Sequence, residues 1–252
     1  MQNGKVEVKI NNGIAEIIFS HEKSNSLPEK LLRELTDKFN ELSNNNDAKV
    51  IVLKSEGDKA FCAGASFDEL LEIKDFETGK NFFMGFALLI NAMRKCPKFI
   101  IARVQGKAVG GGVGIAAAAD YTLAVSSASV KLSELALGIG PFVVGPAVER
   151  KIGKSAFAQM SIDYDWYTAK WALEKSLFTE VYENVEELDG AVNALAKKLA
   201  EGSLDAMKKL KEIFWEGTDD WDELLENRAE ISGKLILSDY SKNYIKNFKS
   251  NI

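Results

Sequence analysis

The amino-acid sequence predicts an α/β protein in which a core of strands and crossover helices precedes a helical C-terminal third. Two observations support this prediction. Short apolar runs that are typical of buried strands alternate with amphipathic helical segments before Gly145, whereas the helical period continues almost without interruption after it. The length of 252 residues fits one sizeable domain, or one domain with a small appendage.

The N-terminal elements are predicted from alternation and turn residues. Val6, Val8 and Ile10 alternate with charged residues, and an Asn-Gly pair supplies a hairpin turn before a second strand at residues 14–19. Pro28 then begins a helix whose apolar residues share one face. The sequence therefore opens with a β-hairpin that leads into a helix.

The next segments predict crossover units. Residues 50–53 form a short apolar run, and the small-residue loop 59–65 enters a helix at about Ser66. A longer amphipathic helix is predicted over residues 78–94. The strand–helix–strand order indicates parallel strands joined by crossovers.

A glycine-rich segment lies at the centre of the chain. Residues 99–104 predict a strand, five glycines follow between positions 106 and 114, and a small-residue helix comes next. Further strands are predicted over 121–125 and 129–132. The predicted C-terminal helices cover 146–152, 155–161, 168–175, 185–201, 204–215, 221–234 and 239–249.

The charge balance and the cysteines exclude several classes of protein. The net charge of -5 and the pI of about 5.2 argue against a nucleic-acid surface built on bulk positive charge. Cys62 and Cys96 lack the spacing of a disulfide scaffold or zinc site, which favours a reducing compartment. With no leader-like N-terminus and no apolar run of bilayer length, we expect a cytoplasmic protein that does not enter a membrane.

The chain has a single histidine, His21. Multi-histidine metal sites are therefore excluded, and any nucleophile activated by histidine must use this residue. Because His21 follows a strand and precedes a polar loop, a surface turn is its favoured position. We expect no metal site.

Two nucleotide-binding patterns are matched only in part. Gly112 to Ala117 imitates the dinucleotide fingerprint, but four residues from Gly106 separate it from the preceding strand, so we interpret the match as accidental. Residues 153–155 resemble the end of a phosphate loop, yet Val148 stands where its first glycine is required. Neither pattern predicts nucleotide chemistry.

Glu134 is the acidic residue that the sequence indicates as a candidate for proton transfer. It lies among apolar residues, with Lys131 as the nearby charge. A carboxylate in apolar surroundings is costly to ionise, so its pKa is expected to rise toward neutrality, where proton transfer is efficient. The alternative is a solvent-facing glutamate at the end of a strand.

The glycine segment and the loop 59–65 suggest chemistry that Glu134 would complete. Both offer peptide N–H groups without partners near the start of a helix. An enolate needs two such donors on its oxygen and an acid or base beside the adjacent carbons. The residues therefore form a plausible enolate site.

The chain resembles the crotonase superfamily, the enoyl-CoA hydratase/isomerase family, along nearly its whole length. The similarity depends on several motifs in a fixed order and spacing. Taken together, these motifs are specific for the family. They are residues 24–27, 59–65, 101–106 with 110–112, 118–121 and 133–138.

The resemblance implies a crotonase-like spiral of ββα units over residues 1–190, which holds the acyl-CoA site. A helical C-terminal region over residues 191–252 would mediate trimers, often paired into hexamers. The substrate would be an acyl-CoA thioester, and no cofactor is expected because coenzyme A is part of the substrate. The activity would be that of a lyase or isomerase of fatty acid metabolism.

The resemblance also implies roles for individual residues. Ala65 and Gly111 would donate the two oxyanion-hole N–H groups, and Glu134 would be the catalytic acid or base. The positions that would bind coenzyme A are Glu22, Lys23, Ser24, Ala63, Phe67 and, on the last helix and toward a neighbouring subunit, Lys246, Phe248 and Lys249.

One departure from the family pattern bears on the reaction. Hydratases of the family carry a second glutamate where this chain has Gly114. Moving a double bond requires only removal and return of one proton, so one glutamate favours isomerisation over hydration. The alternatives are a hydratase in which Asp163 or Asp165 substitutes for the missing acid, and an acyl-CoA-binding protein with impaired catalysis. Nucleic-acid binding is a third hypothesis, which the net acidity disfavours.

Overall fold

The computed structural model describes residues 4–250, with side chains to residue 247. The strands are β1 (Lys5–Asn11), β2 (Ile14–Ser20), β3 (Val50–Ser55), β4 (Ala60–Cys62), β5 (Phe99–Val104), β6 (Lys107–Val109), β7 (Tyr121–Val125), β8 (Ser129–Lys131), β9 (Tyr167–Thr168) and β10 (Glu180–Tyr182). The helices are α1 (Glu29–Ser43), α2 (Phe67–Glu72), α3 (Phe76–Lys95), α4 (Gly111–Ala118), α5 (Gly145–Asp163), α6 (Ala169–Glu174), α7 (Val185–Ala200), α8 (Leu204–Phe214), α9 (Trp221–Leu235) and α10 (Asp239–Ser250).

The strands form two sheets. The larger sheet has the order β1-β2-β3-β5-β7-β10, in which β1 and β2 form an antiparallel hairpin and the remaining pairs are parallel. The smaller sheet has the order β4-β6-β8-β9, with β4, β6 and β8 parallel. The central strands β3 and β5 are buried along nearly their whole length, as their continuous apolar runs predict for strands covered on both faces.

Successive strands alternate between the two sheets. The chain passes from β3 to β4, from β5 to β6 and from β7 to β8, and helical segments follow each pair. This repeat is a spiral of ββα units, so the predicted fold class is confirmed. Because β4, β6 and β8 run parallel, the loops at their carboxyl ends meet at one edge of the smaller sheet.

Most predicted elements are present, with differences at their ends. Helix α3 begins two residues earlier than predicted because the Asp75 side chain accepts a hydrogen bond from the Thr78 N–H at 2.8 Å and caps the helix. The two helices predicted over 146–161 form one element that is interrupted at Gly153, where φ is 78°. The short strands β4, β6, β9 and β10 were not predicted, since two or three residues are too few to show alternation.

The C-terminal helices pack on the spiral of the same chain. Helix α9 crosses α3 where Gly79 meets Gly233, and a Cβ built on Gly233 would lie 2.6 Å from the backbone nitrogen of Lys80. Helix α10 contacts α2. Residue 190, the predicted boundary between core and C-terminal region, lies inside α7, a helix that packs against the larger sheet. Within residues 4–250, no helix has both the length and the apolar character needed to cross a bilayer.

Candidate active site

The loops after β4 and β6 lie against each other. A Cβ built on Gly64 would lie 2.7 Å from the carbonyl oxygen of Val109 and 3.5 Å from the backbone nitrogen of Gly111. The backbone at Gly64 is in the left-handed region, with φ of 83°, which favours glycine. The two small-residue turns therefore face one another closely enough for both to contact one ligand atom.

The peptide N–H groups of Ala65 and Gly111, one in each turn, have no hydrogen-bond acceptor among the described residues. We call them the donor pair. Gly111 is the first residue of α4, and N–H groups in the first turn of a helix have no partner within it. Neighbouring bonds hold the turns in place. Gly110 donates its N–H to the Lys131 carbonyl at 2.9 Å, and the Gly64 carbonyl accepts from the Leu27 N–H at 2.8 Å.

Glu134 follows β8 and places its carboxyl group beside the donor pair. A Cβ built on Gly110 would lie 3.0 Å from Oε1 of Glu134, and Oε2 is buried without a hydrogen-bond partner. Burial raises the pKa of Glu134 to about 7. The apolar setting inferred from the sequence is therefore present, and the carboxyl group can hold or release a proton near neutral pH.

These groups line one cavity, whose space between atoms, mouth included, is about 540 Å³. Its walls are mostly apolar, and Glu134 is the single titratable side chain among the residues that line it. Ser133 and Ser232 supply the other polar side chains. The wall residues are Ala63, Gly64, Ala65, Phe67, Leu70, Phe83, Phe86, Val109, Gly110, Gly111, Leu137, Ile139, Gly140, Pro141, Phe142, Val143 and Val144.

The space around Gly114 is filled by a valine. A Cβ built on Gly114 would lie 2.5 Å from Cγ1 of Val144, and Val144 itself lines the cavity. A side chain at position 114 is therefore excluded unless Val144 moves. Sequence reasoning missed Val144, because no local pattern indicates that it meets a residue thirty positions earlier.

Phe86 is a second residue that sequence reasoning missed as part of the site. The helical period of α3 predicts that Phe86 is buried, and the structure places its ring against the start of α4. A Cβ built on Gly111 would lie 2.1 Å from Cε1 of Phe86. The aromatic ring thus closes the cavity beside the donor pair.

The residues of the loop predicted to bind coenzyme A contact two different surfaces. Lys23 forms an ion pair with Asp68 of α2, and the Ser24 carbonyl accepts from the Ala63 N–H at 3.1 Å, so both residues are tied to the cavity wall. Glu22 instead faces a separate polar groove with Lys5. His21 lies in the turn, as expected, and its Nδ1 accepts from the Lys23 N–H at 3.2 Å.

The remaining predicted residues lie away from the cavity lining or outside the described side chains. Lys246 is an exposed residue of α10, the helix that contacts α2. The side chains of Phe248 and Lys249 lie outside the described residues. Asp163 and Asp165 are exposed at the end of α5, where Asp163 accepts from the Tyr167 hydroxyl, and neither lines the cavity. Over residues 4–247, no group of three or more His, Cys, Asp or Glu side chains is arranged to hold a metal ion.

Comparisons with known proteins agree on a family. A family model described as enoyl-CoA hydratase/isomerase matches residues 9–249. Short-chain-enoyl-CoA hydratase from Clostridium acetobutylicum is 27% identical to the chain over 98% of this chain and 95% of its own length. Enoyl-CoA hydratase AKT6-1 from Alternaria alternata is 35% identical over 59% of this chain and 49% of its own, so the chain spans about half the length of that relative.

Solved structures agree on the fold. The crystal structure of an enoyl-CoA hydratase from Bacillus halodurans has a TM-score of 0.89 and 23% sequence identity, and the match covers 96% of this chain and 99% of that chain. At this identity the similarity shows the fold alone.

Proposed function

Because the chain belongs to the enoyl-CoA hydratase/isomerase family of the crotonase superfamily, we propose that it acts on an enoyl thioester of coenzyme A through an enolate. The donor pair would donate hydrogen bonds to the thioester oxygen, and Glu134 would move a proton between carbons of the acyl chain. Backbone donors of this kind stabilise charge as it develops on oxygen, and they act in a cavity with few polar groups to compete.

We propose double-bond isomerisation as the favoured reaction. The observation that supports it is that, among the side chains described for residues 4–247, Glu134 is the single titratable group lining the cavity. Isomerisation takes a proton from one carbon and returns it to another, and one carboxyl group does both. Hydration also requires an activated water, and the apolar side chain of Val144 fills the space beside Gly114 where a second acid would be needed.

The alternative reading as a hydratase requires a substitute acid. Asp163 and Asp165 are exposed at the end of α5 and do not line the cavity, so the described chain offers no support for that substitution. An acyl-CoA-binding protein with impaired catalysis is the second alternative, and the arrangement of Glu134 beside the donor pair favours catalysis over it. Tight binding without turnover across a range of chain lengths would instead favour the binding protein.

Coenzyme A would lie along the loop of Lys23 and Ser24 and across α2. Lys23, paired with Asp68, stands next to the wall formed by Ala63 and Phe67. A phosphate of coenzyme A would compete with Asp68 for the Lys23 ammonium group. That Glu22, Lys246, Phe248 and Lys249 also bind coenzyme A stays a prediction from the resemblance.

The test is an assay of two substrates with one variant. We expect the protein to convert 3-enoyl-CoA to 2-enoyl-CoA faster than it hydrates 2-enoyl-CoA. Glu134→Gln keeps the size of the side chain and removes the proton carrier, so we expect kcat to fall by about 10²–10⁴-fold. Full activity in this variant would refute the role of Glu134, and faster hydration by the wild-type protein would refute the preference for isomerisation.

A further inference from the structure

Cys62 is buried next to the two turns that carry the donor pair and does not line the cavity. It is the last residue of β4 and a free thiol with 0% of its surface exposed. Its Sγ accepts a hydrogen bond from the Gly64 N–H at 3.4 Å. The thiol therefore contacts the turn that presents Ala65.

The same side chain contacts the other turn. A Cβ built on Gly112 would lie 2.7 Å from Cβ of Cys62 and 3.1 Å from its Sγ. Gly112 follows Gly111 in the first turn of α4. One side chain thus touches both segments that carry the donor pair without lining the cavity itself.

The protonation state of the thiol suits this position. Burial raises the pKa of Cys62 to about 12, so the group stays a neutral thiol at physiological pH. A thiolate beside the donor pair would repel the negative charge that an enolate carries. A neutral sulfur is a weak acceptor that fills space without adding charge.

We propose that Cys62 is a positioning residue that holds the Gly64 turn and the first turn of α4 at the separation the donor pair requires. The inference depends on the proposed enolate chemistry. A misplacement of about 1 Å can cost about 10²-fold in rate even when the altered residue does not touch the substrate. Loss of the thiol should therefore weaken stabilisation of the oxyanion more than binding of the rest of the ligand.

Two ligands separate these effects. Acetoacetyl-CoA ionises to an enolate whose charge would lie against the donor pair, whereas butyryl-CoA stays neutral and occupies the same site. We expect Cys62→Ala to weaken acetoacetyl-CoA binding about tenfold relative to butyryl-CoA, less than the roughly 10²–10³-fold cost of losing an oxyanion donor outright. The near-ultraviolet absorbance of the bound enolate should fall in parallel, and kcat should fall while KM changes little.

Matched variants complete the test. Cys96→Ala removes another buried thiol, at the end of α3 and outside the cavity, and should leave the affinity ratio of the two ligands at its wild-type value. Cys62→Ser keeps an acceptor for the Gly64 N–H and should restore most of the ratio. If Cys62→Ala does not fold, Cys62→Val takes its place, since valine removes the acceptor but keeps the bulk.

Two results would overturn the inference. The positioning role would be refuted if Cys62→Ala kept the wild-type ratio of acetoacetyl-CoA to butyryl-CoA affinity. It would also be refuted if Cys62→Ala and Cys96→Ala changed this ratio equally. Either result would leave the proposed function intact. A wild-type protein that binds neither ligand would refute the proposed function, and the inference with it.

Discussion

Glu134 is held in a state that is unfavourable for folding and would be useful for the proposed catalysis. One of its carboxyl oxygens is buried without a partner, and burial raises its pKa to about 7. A carboxyl group with this pKa exchanges protons at neutral pH with little energetic bias in either direction. The same burial makes the charged form costly in the folded protein.

The pH dependence of activity follows from this pKa. If Glu134 takes the first proton from the substrate, it must be deprotonated in the free enzyme. We expect kcat/KM for isomerisation to rise about tenfold per pH unit below pH 7 and to level off above it, because a protonated carboxyl group cannot act as a base. A profile that is flat between pH 5.5 and 8 would contradict this assignment.

The pH dependence of stability has the opposite sign. The pKa of Glu134 is raised in the folded state from an ordinary value of 4.5 to about 7. Glu134 therefore makes its full contribution to the free energy of unfolding below pH 4.5, and this contribution is lost as the pH rises through 7. We expect Glu134→Gln to increase the free energy of unfolding at pH 8 by up to about 3 kcal/mol and to change it little at pH 4. Urea unfolding at the two pH values measures this difference, and Glu149→Gln, at a half-buried position outside the cavity, is the control.

At the scale of elements, the contact between α4 and the segment that precedes α5 decides which side chains reach the cavity. Val144 lies where a side chain at position 114 would need to pass, so the two positions are coupled through packing. Glycine at 114 and valine at 144 form one compatible pair. A glutamate at 114 requires a smaller partner.

This coupling predicts how a second acid is introduced. Gly114→Glu alone should destabilise the protein by about 1–3 kcal/mol, because its Cβ would overlap Val144 in a packed interior. Gly114→Glu combined with Val144→Gly should recover stability, because the smaller residue at 144 removes the overlap. The double variant should also hydrate 2-enoyl-CoA faster than the wild-type protein, since the cavity then holds two carboxyl groups. Thermal unfolding and the hydration assay check both parts, with Val144→Gly alone as the control. If the double variant folds and hydrates 2-enoyl-CoA at the wild-type rate, the hypothesis that the missing second acid limits hydration is contradicted.

The limits of sequence reasoning are also seen at this scale. Long elements with a clear period, such as α1 and α3, are predicted from apolar spacing alone. The three-residue strands β4, β6 and β8 carry the candidate site. Of these, β8 is predicted from its apolar run, whereas β4 and β6 are too short to show a period and only the motifs beside them indicate their place. The sequence and its motifs thus predict roles for Ala65, Gly111 and Glu134, which the structure places near one another, whereas the contacts made by Val144, Phe86 and Cys62 depend on tertiary packing.

At the scale of the whole molecule, the C-terminal helices leave an apolar face uncovered. Helix α8 buries Met207 and Lys211, while Leu210, Ile213 and Phe214 are 45%, 56% and 48% exposed. An exposed apolar cluster of this kind is typical of a contact between subunits. It supports the trimer, or pair of trimers, that the resemblance to the family implies, in which the helical C-terminal region would make the contacts.

The proposed assembly predicts the behaviour of a surface variant. We expect the wild-type protein to have about three or six times the 27.8 kDa mass of one chain in solution. Ile213→Glu places a charge in the apolar cluster and should shift the mass toward that of one chain, because burying an unpaired carboxylate is costly. Light scattering after gel filtration measures the mass, and Lys208→Glu, at an exposed position on the side of α8 away from the cluster, is the control. A wild-type mass of 27.8 kDa would contradict the assembly.

The parallel run of β4, β6 and β8 has a consequence for how such proteins diversify. In the proposed site each turn of the spiral contributes one group, namely a donor from the first, a donor from the second and the acid from the third. An exchange of the loop after one strand therefore leaves the other two parts on unaltered backbone. New reactions on the same class of thioester are accessible one loop at a time, without rebuilding the scaffold.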